Sequence, residues 1–365
     1  MLTISQILAV LEKPAVSEIV LNSPDSAFVK QDGTYMSIRE PFHSIDGYWA
    51  VLEQLAKMVS PGEELGEYLF EGPLEFFTNE GKTVRSRCHM VLPPVSSVPQ
   101  VVIAKKSETV TSLESMVENG SLTGEMAEFL KACVKTRRTM VILGATGSGK
   151  TTMLESLCRQ IPQIERIGVA EDTPEIVLDQ PNVSYYHSVP WKPGMNPNDV
   201  ATLSWVVQQF QRARVDRLIV GETRGKEFAD FLTASNSGIE GSLTTLHANT
   251  PNSGLLKMTS FALKGEPGRN TQSINQEIAT AIDILVQLRK NGGKYRVSEI
   301  AEVTGTVSSD ESAKMTTQTL FGYNTENDTF VRVGPPTDKL RKTFAERGVD
   351  INTILMSPIG LTGRF

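Results

Sequence analysis

The sequence has few of the features that mark secreted, membrane-spanning or nucleic-acid-coating proteins. Three cysteines, Cys88, Cys133 and Cys158, occur in 365 residues, which is too few and too scattered for a disulfide framework or a metal site. No apolar run approaches the ~20 residues of a membrane span, and the first residues lack the pattern of a signal peptide. The net charge of −6 disfavours a protein that coats nucleic acid. We therefore expect a cytoplasmic protein without strong direct binding to nucleic acid.

The composition is that of an ordinary globular protein, with 39% hydrophobic and 21% charged residues, and the length corresponds to about two domains. Strand, turn and helix patterns predict an α+β domain over residues 1–107, and a polar, turn-rich stretch predicts a linker over 108–120. From 121 to 331, short apolar strands alternate with helices, which is typical of a largely parallel sheet covered by helices. Residues 332–365 form a predicted C-terminal tail.

One motif in the second domain points to a specific ligand. The stretch "GATGSGKT", Gly144 to Thr151, fits G-x-x-x-x-G-K-[ST] between a predicted strand and a predicted helix. Its glycines let backbone N–H groups approach phosphate oxygens, Lys150 would reach the β- and γ-phosphates, and the Thr151 hydroxyl would ligate Mg²⁺. A chance match is expected in roughly one such chain in a hundred. The predicted nucleotide-binding residues are Gly144, Ala145, Thr146, Gly147, Ser148, Gly149, Lys150, Thr151 and Thr152.

Acidic side chains end two of the predicted strands near this loop. Glu171 follows "RIGVA", and Glu222 follows "RLIVG". Acids at the carboxyl ends of parallel strands face the ligand crevice, where a hydrolase needs one to activate water and often another to hold the metal. A solvated strand-end acid or a helix cap is the alternative for each. Gly221 stands where an aspartate often ends this strand in nucleotide hydrolases.

His247 ends the fourth predicted strand, "SLTTLHA". Its position parallels that of Glu222, which makes a γ-phosphate contact an alternative to an ordinary structural histidine.

The role of the arginines in two segments, "TVRSRCHM" and "QRARVDR", has two interpretations. They could be surface charge, or they could act across a subunit interface to offset charge in the transition state. Spacing does not decide between the two. The arginines concerned are Arg85, Arg87, Arg212, Arg214 and Arg217.

Taken together, four motifs resemble the secretion ATPase family, which comprises the hexameric motors of type II and type IV secretion, conjugation and type IV pilus biogenesis. The motifs are "GATGSGKTT", "RIGVAEDTPEI", "RARVDRLIVGETRGKEFADFL" and "NSGIEGSLTTLHANTP". The resemblance implies an α/β fold: a RecA-like P-loop ATPase domain with a mostly parallel sheet, preceded by a smaller α+β N-terminal domain. "FADFLTASNSG" and "QPNVSYYHS" resemble the type IV secretion and conjugation branch most, and a pilus or type II secretion motor is the alternative.

The resemblance also implies residue roles and partners. Glu222 would activate water, Glu171 would belong to the acidic box and hold Mg²⁺ together with Thr151, directly or through water, His247 would lie beside the γ-phosphate, and Arg87 would contact the nucleotide. ATP and Mg²⁺ would be the ligands. A homo-hexamer would act with inner-membrane components of a secretion, conjugation or pilus machine, at the cytoplasmic face of that membrane.

Some positions depart from the family pattern. Ile239 stands where the first histidine of the histidine box usually lies, and Ala104 and Lys105 replace part of an arginine-rich stretch. Lys257 replaces an arginine, which keeps the charge but loses bidentate geometry. These departures predict a slow ATPase. The competing hypotheses are a nucleic-acid translocase or helicase and a non-hydrolysing scaffold; the acidic balance disfavours the first, and the intact Lys150 and Glu222 disfavour the second.

Overall fold

A computed structural model describes residues 2–59, 69–78, 80–106, 111–189, 196, 200–291, 293–309, 312–356 and 362–363. The chain divides into two compact units, Met1–Val110 and Thr111–Phe365. Residues 107–110, in and next to the predicted linker, lie outside the described residues.

Unit 1 combines one antiparallel sheet with two helices. Its sheet has six strands in the order β3-β2-β1-β6-β5-β4, and every neighbouring pair is antiparallel. The elements are α1 (Ile4–Glu12), β1 (Val16–Ser23), β2 (Ser26–Gln31), β3 (Thr34–Ile38), α2 (Ile45–Val59), β4 (Leu69–Phe77), β5 (Thr83–Val91) and β6 (Gln100–Lys105).

The helix α2 covers this sheet because its apolar residues recur on one face. Leu52 and Leu55 are fully buried, and the buried Tyr48 hydroxyl donates to the carbonyl of Pro99 at 2.7 Å. Gly72 on β4 leaves room for the helix, since a Cβ there would lie 2.7 Å from Cγ1 of Val59. Unit 1 is thus an α+β unit, as the sequence predicts.

Unit 2 is larger and contains one ten-stranded sheet in the order β16-β15-β14-β13-β12-β7-β11-β10-β8-β9. Its first part consists of α3 (Leu113–Glu118), α4 (Gly124–Lys135), β7 (Met140–Gly144), α5 (Lys150–Cys158), β8 (Ile167–Glu171), β9 (Val183–His187), α6 (Leu203–Arg212) and β10 (Arg217–Val220). Its second part consists of α7 (Glu227–Asn236), β11 (Leu243–His247), α8 (Pro251–Gly265), α9 (Thr271–Ala281), β12 (Ile284–Asn291), β13 (Lys294–Ser309), β14 (Ser312–Asn324), β15 (Thr329–Arg332), α10 (Asp338–Glu346), α11 (Ile351–Ile354) and β16 (Thr362–Gly363).

The strand pairing in the sheet of unit 2 changes from parallel to antiparallel at β12. Neighbouring strands from β9 to β12 are parallel, whereas those from β12 to β16 are antiparallel. Strands β7, β8 and β10 are buried along their whole length, because helices pack on both faces of a parallel sheet. The predicted α/β fold is confirmed, and the antiparallel extension adds to it. In the described part of the chain, no helix is both long and apolar enough to cross a bilayer.

Arg217, at the start of β10, is part of a buried ion pair and is 1% exposed. Its Nε donates to Glu165 at 2.6 Å, and its Nη2 donates to the carbonyl of Val134 at 2.9 Å. Arg137 also pairs with Glu165, at 3.1 Å. A Cβ on Gly241 would lie 2.1 Å from Nη1 of Arg217, so only glycine fits there. For Arg217, both sequence interpretations are therefore wrong: it is neither surface charge nor available to another subunit.

We expect Arg217→Met to lower the free energy of unfolding by about 3 kcal/mol, because it leaves buried carbonyl groups and part of the Glu165 charge without a partner. Urea denaturation followed by circular dichroism measures this loss. Arg212→Met, at an exposed position of α6, is the matched control and should change the value by less than about 0.5 kcal/mol. Equal losses for the two variants would contradict the structural role of Arg217.

Candidate nucleotide-binding site

The loop between β7 and α5 has a backbone path that its glycines make possible. Gly147 and Gly149 have φ angles of 69° and 90°, in the left-handed region that glycine adopts without steric cost. A Cβ on Gly144 would lie 2.2 Å from Oγ of Ser148 and 3.1 Å from the carbonyl oxygen of Leu288. The motif glycines are therefore required by close packing as well as by backbone conformation.

The loop and the start of α5 present hydrogen-bond donors for which the described residues supply no acceptor. The N-cap of α5 is Gly149, which makes no side-chain capping bond, and the first amides of a helix have no intrahelical acceptor. Ser148 is 3% exposed, and among the described residues its Oγ has no hydrogen-bond partner. A buried hydroxyl without a partner is costly. Because a helix N-terminus also favours anions, these groups fit the phosphate oxygens of ATP.

Lys150 begins α5 and is 8% exposed. Its Nζ donates to the carbonyl of Ala145 at 3.1 Å and lies 3.1 Å from Nδ1 of His247. Because an ammonium group can only donate, Nδ1 of His247 must accept, which assigns the ring proton to Nε2. Burial lowers the pKa of Lys150, although the nearby Glu222 carboxylate opposes this effect.

His247 joins Lys150 to Glu222. Its Nε2 lies 2.6 Å from Oε1 of Glu222, a close polar contact that is not aligned as a hydrogen bond. Burial is the largest cause that lowers the pKa of His247, and the Lys150 charge acts in the same direction while Glu222 opposes it. The imidazole is therefore neutral at neutral pH. The structure thus brings three of the predicted site residues into one continuous chain of contacts.

The strand pairing places these side chains at the same edge of the sheet. His247 is in register with Gly144 across the β11–β7 pair. The segment that carries Glu222 is fixed to β11, because the Thr223 amide donates to the carbonyl of Thr245 at 2.9 Å and the Thr245 hydroxyl donates to the carbonyl of Gly221 at 2.8 Å. These hydrogen bonds between neighbouring strands place Glu222 next to His247.

Two cations that were not predicted as site residues bond to members of this chain of contacts. Arg224 donates through Nη2 to Oε2 of Glu222 at 2.7 Å. Lys257 donates through Nζ to the carbonyl of His247 at 2.7 Å, a single bond that does not need the fork of an arginine. The segment "GETRG" places Arg224 two residues after Glu222. This spacing in a loop is typical of exposed charge, so the sequence did not predict the contact.

Glu171 occupies a different environment from Glu222. It ends β8 and is 3% exposed, and its Oε1 accepts from the backbone amides of Glu175 at 3.1 Å and Ile176 at 3.0 Å. A Cβ on Gly221 would lie 2.9 Å from Cγ of Glu171, which explains why glycine occupies that position. The carboxylate therefore stabilises the turn after β8. Its predicted role toward Mg²⁺ stays a prediction.

The remaining predicted residues lie elsewhere in the two units. Thr151 and Thr152 lie half-buried in the first turn of α5. Arg87 lies on β5 of unit 1 and pairs with Glu71, so its contact with a nucleotide stays a prediction. The departures Ala104 and Lys105 end β6, next to Arg87 and Ser86 on β5. Ile239 packs against the apolar cluster beneath α6 to α9, which suits an apolar side chain better than a histidine.

A phosphate loop in the parallel part of the sheet, with a histidine at the end of the adjacent strand β11 and an acid after the next strand β10, defines a P-loop nucleotide-binding protein of the RecA-like fold. The chain belongs to the family described as type II/IV secretion system protein, whose family model matches residues 72–321. The resemblance drawn from the four motifs is thereby confirmed.

Two curated relatives match over most of their length. The chain is 29% identical over 323 residues to protein VirB11 of Agrobacterium fabrum, covering 80% of this chain and 90% of that protein. It is 27% identical over 306 residues to the conjugal transfer protein TrbB of Rhizobium radiobacter, covering 82% and 87%. Among solved structures, the ATPase DotB of Legionella pneumophila shares the fold, with a TM-score of 0.58, 19% identity, and 89% and 82% coverage of the two chains.

We expect Gly221→Ala to lower the free energy of unfolding by about 1–3 kcal/mol, because the added methyl group overlaps the buried Glu171 side chain. Thermal denaturation with a matched control measures the effect. Gly124→Ala in α4, where nothing lies within 4 Å of the added carbon, should cause no loss. If Gly221→Ala is as stable as Gly124→Ala, the close packing of Gly221 on Glu171 is incorrect.

Proposed function

We propose that this chain is an ATP hydrolase that powers type IV secretion or conjugative transfer. The observation that carries the proposal is the chain of contacts from Lys150 through His247 to Glu222. It links the cation that would bind phosphate to the acid that would activate water, at the carboxyl edge of one sheet. Family membership and the relatives VirB11 and TrbB support the biological setting.

The side chains around the loop have complementary tasks in this reaction. Amide groups of the loop and the Lys150 ammonium would hold the phosphates and offset their negative charge. Mg²⁺, held by the Thr151 hydroxyl and by phosphate oxygens, would neutralise charge that develops during transfer of the γ-phosphoryl group. Glu222 would accept a proton from the attacking water, since its carboxylate is half-buried at a strand end and its partner His247 is neutral.

Substrate binding would change the partner of Lys150. In the structure, the ammonium contacts Nδ1 of the neutral His247 at 3.1 Å. A charged phosphate oxygen is a stronger acceptor than a neutral imidazole, so Lys150 would turn to the phosphate and release His247. The contact between His247 and Glu222 would then change as well. In this way the arrival of a γ-phosphate would reach the acid that activates water.

The proposed assembly is a homo-hexameric ring at the cytoplasmic face of the inner membrane, acting with the membrane components of a secretion or conjugation machine. It is supported by family membership and by the names of the curated relatives. A type II secretion or pilus motor is the alternative, because the family description includes type II secretion. The relatives VirB11 and TrbB, which match over about four-fifths of this chain, favour the type IV assignment.

We expect Lys150→Ala to abolish Mg²⁺-dependent ATP hydrolysis, because the variant loses the only side-chain cation described inside the loop. Release of inorganic phosphate by the purified protein measures it. Lys135→Ala, at an exposed position of α4, removes the same charge elsewhere and should hydrolyse ATP like the wild type. Hydrolysis by Lys150→Ala at the wild-type rate would mean that the nucleotide site lies elsewhere.

The sharpest test concerns the water-activating acid. Glu222→Gln keeps the size and polarity of the side chain but cannot accept a proton, so turnover should fall about 100- to 10,000-fold while the affinity for ATP stays within a few-fold. Steady-state turnover and equilibrium binding measure the two quantities separately.

Glu171→Gln is the internal control for this test, because its carboxylate also ends a central strand but is occupied by backbone amides. Its melting temperature must be measured alongside, since the amide side chain supports the turn after β8 less well. If Glu171→Gln abolishes turnover at unchanged stability while Glu222→Gln stays active, the general base lies on β8 rather than after β10.

A further inference from the structure

The hairpin formed by β12 and β13 extends past the carboxyl edge of the sheet beside the phosphate loop. β12 pairs in parallel with β7 as far as Gln287 opposite Leu143, and it then continues to Asn291. β13 returns antiparallel to it. Since the carbonyl oxygen of Leu288 already lies against Gly144, the residues that follow stand directly next to the loop.

An aromatic ring from this hairpin lies against the loop. A Cβ placed on Gly149 would lie 3.5 Å from Cδ1 and 3.9 Å from Cε1 of Tyr295, which is van der Waals distance. Tyr295 and Lys290 are opposite each other in the β12–β13 register, so their side chains share one face. The Lys290 Nζ lies 5.1 Å from the centre of the tyrosine ring, a cation–π contact.

The position of Tyr295 is set by its neighbour rather than by burial in a core. The ring itself is 45% exposed. Arg296 is 4% exposed and donates to both carboxylate oxygens of Asp328, at 3.1 and 3.3 Å, and its Nη1 donates to the carbonyl of Tyr295 at 3.1 Å. The Val297 amide donates to the carbonyl of Ser121 at 2.8 Å. The first residues of β13, next to the turn of the hairpin, are therefore fixed, while much of the Tyr295 side chain faces outward.

We propose that Tyr295, together with Lys290, forms the nucleobase end of the nucleotide site. The proposal rests on the proposed function, in which the loop binds the phosphates of ATP. Tyr295 stands beside Gly149 of that loop, since a Cβ placed on Gly149 would lie 3.5 Å from the ring. The exposed side of the ring is where the base of a nucleotide held by the loop would stack. An exposed aromatic face stacks on any base and gains most from the large surface of a purine. Lys290 adds positive charge at this end of the site.

The experiment separates the base from the phosphates by comparing ATP with inorganic tripolyphosphate. Equilibrium binding of both ligands is measured for the wild type, Tyr295→Ala, Tyr295→Phe and Lys150→Ala. Tyr295→Ala should weaken ATP binding about 5- to 100-fold and change tripolyphosphate binding by less than about 2-fold. Tyr295→Phe keeps the aromatic face and should restore ATP binding. Tyr35→Ala, which removes a tyrosine of similar exposure (50%) in unit 1, should bind both ligands like the wild type.

A spectroscopic signature tests stacking directly. The fluorescence of 2-aminopurine riboside triphosphate falls when its base stacks on an aromatic ring. We expect quenching on binding to the wild type and to Tyr295→Phe, and none with saturating Tyr295→Ala.

The outcomes distinguish this proposal from the proposed function. Equal weakening of ATP and tripolyphosphate by Tyr295→Ala would show that the ring supports the loop rather than the base, and unchanged ATP binding would show that the base lies elsewhere; either result overturns the proposal. Wild-type protein that binds neither ligand, or Lys150→Ala that binds both normally, would instead overturn the phosphate assignment on which it rests.

Discussion

The architecture of the site depends on a steric constraint at Gly144. At this residue the central strand β7 ends, the Ser148 side chain folds back, and the carbonyl group of Leu288 on β12 approaches, all within the space that a Cβ would occupy. His247 lies in register on the other side. Because no side chain separates these groups, the phosphate loop, the histidine strand and the β12–β13 hairpin converge at one point. Any larger residue would push at least one of them away.

The charged groups around the loop are held by one another. Lys150 lies between a carbonyl group and His247, and Glu222 lies between His247 and Arg224. Half-burial makes these charges costly unless they are paired, and in the structure they are paired. Under the proposed function, an anionic substrate would exchange partners with these groups rather than simply add contacts. Such an exchange would couple occupancy of the loop to the state of the acid.

The parts of the fold that sequence could predict are those whose signal is local. The strands β7, β8, β10 and β11 are short apolar runs between turn residues, so these strands were predicted correctly. The edge strand β9 has the sequence "VSYYH" and is largely accessible to solvent. Because it contains no apolar run, the sequence did not predict it. The antiparallel strands that follow β12 were mostly missed because their pairing is decided by hydrogen bonds between segments distant in sequence.

In the candidate site, too, the residues with a local sequence signal could be predicted, and the contacts between distant segments could not. The phosphate loop could be predicted because it is a contiguous motif, and Glu222 and His247 could be predicted because they end apolar strands. Arg217 was misread, because a charged residue shows no sign in the sequence of the buried partner, Glu165, that neutralises it. The amide contacts of Glu171 and the role of Arg224 depend likewise on chain segments that meet only after folding.

The packing of Gly221 on Glu171 also limits how the sequence can change over time. An aspartate at position 221 has no room while a glutamate with its present orientation occupies position 171. An aspartate at position 221 would require the side chain at position 171 to be shorter or to point elsewhere, and the turn that the carboxylate holds would change with it. Substitutions at the two positions are therefore coupled by their packing.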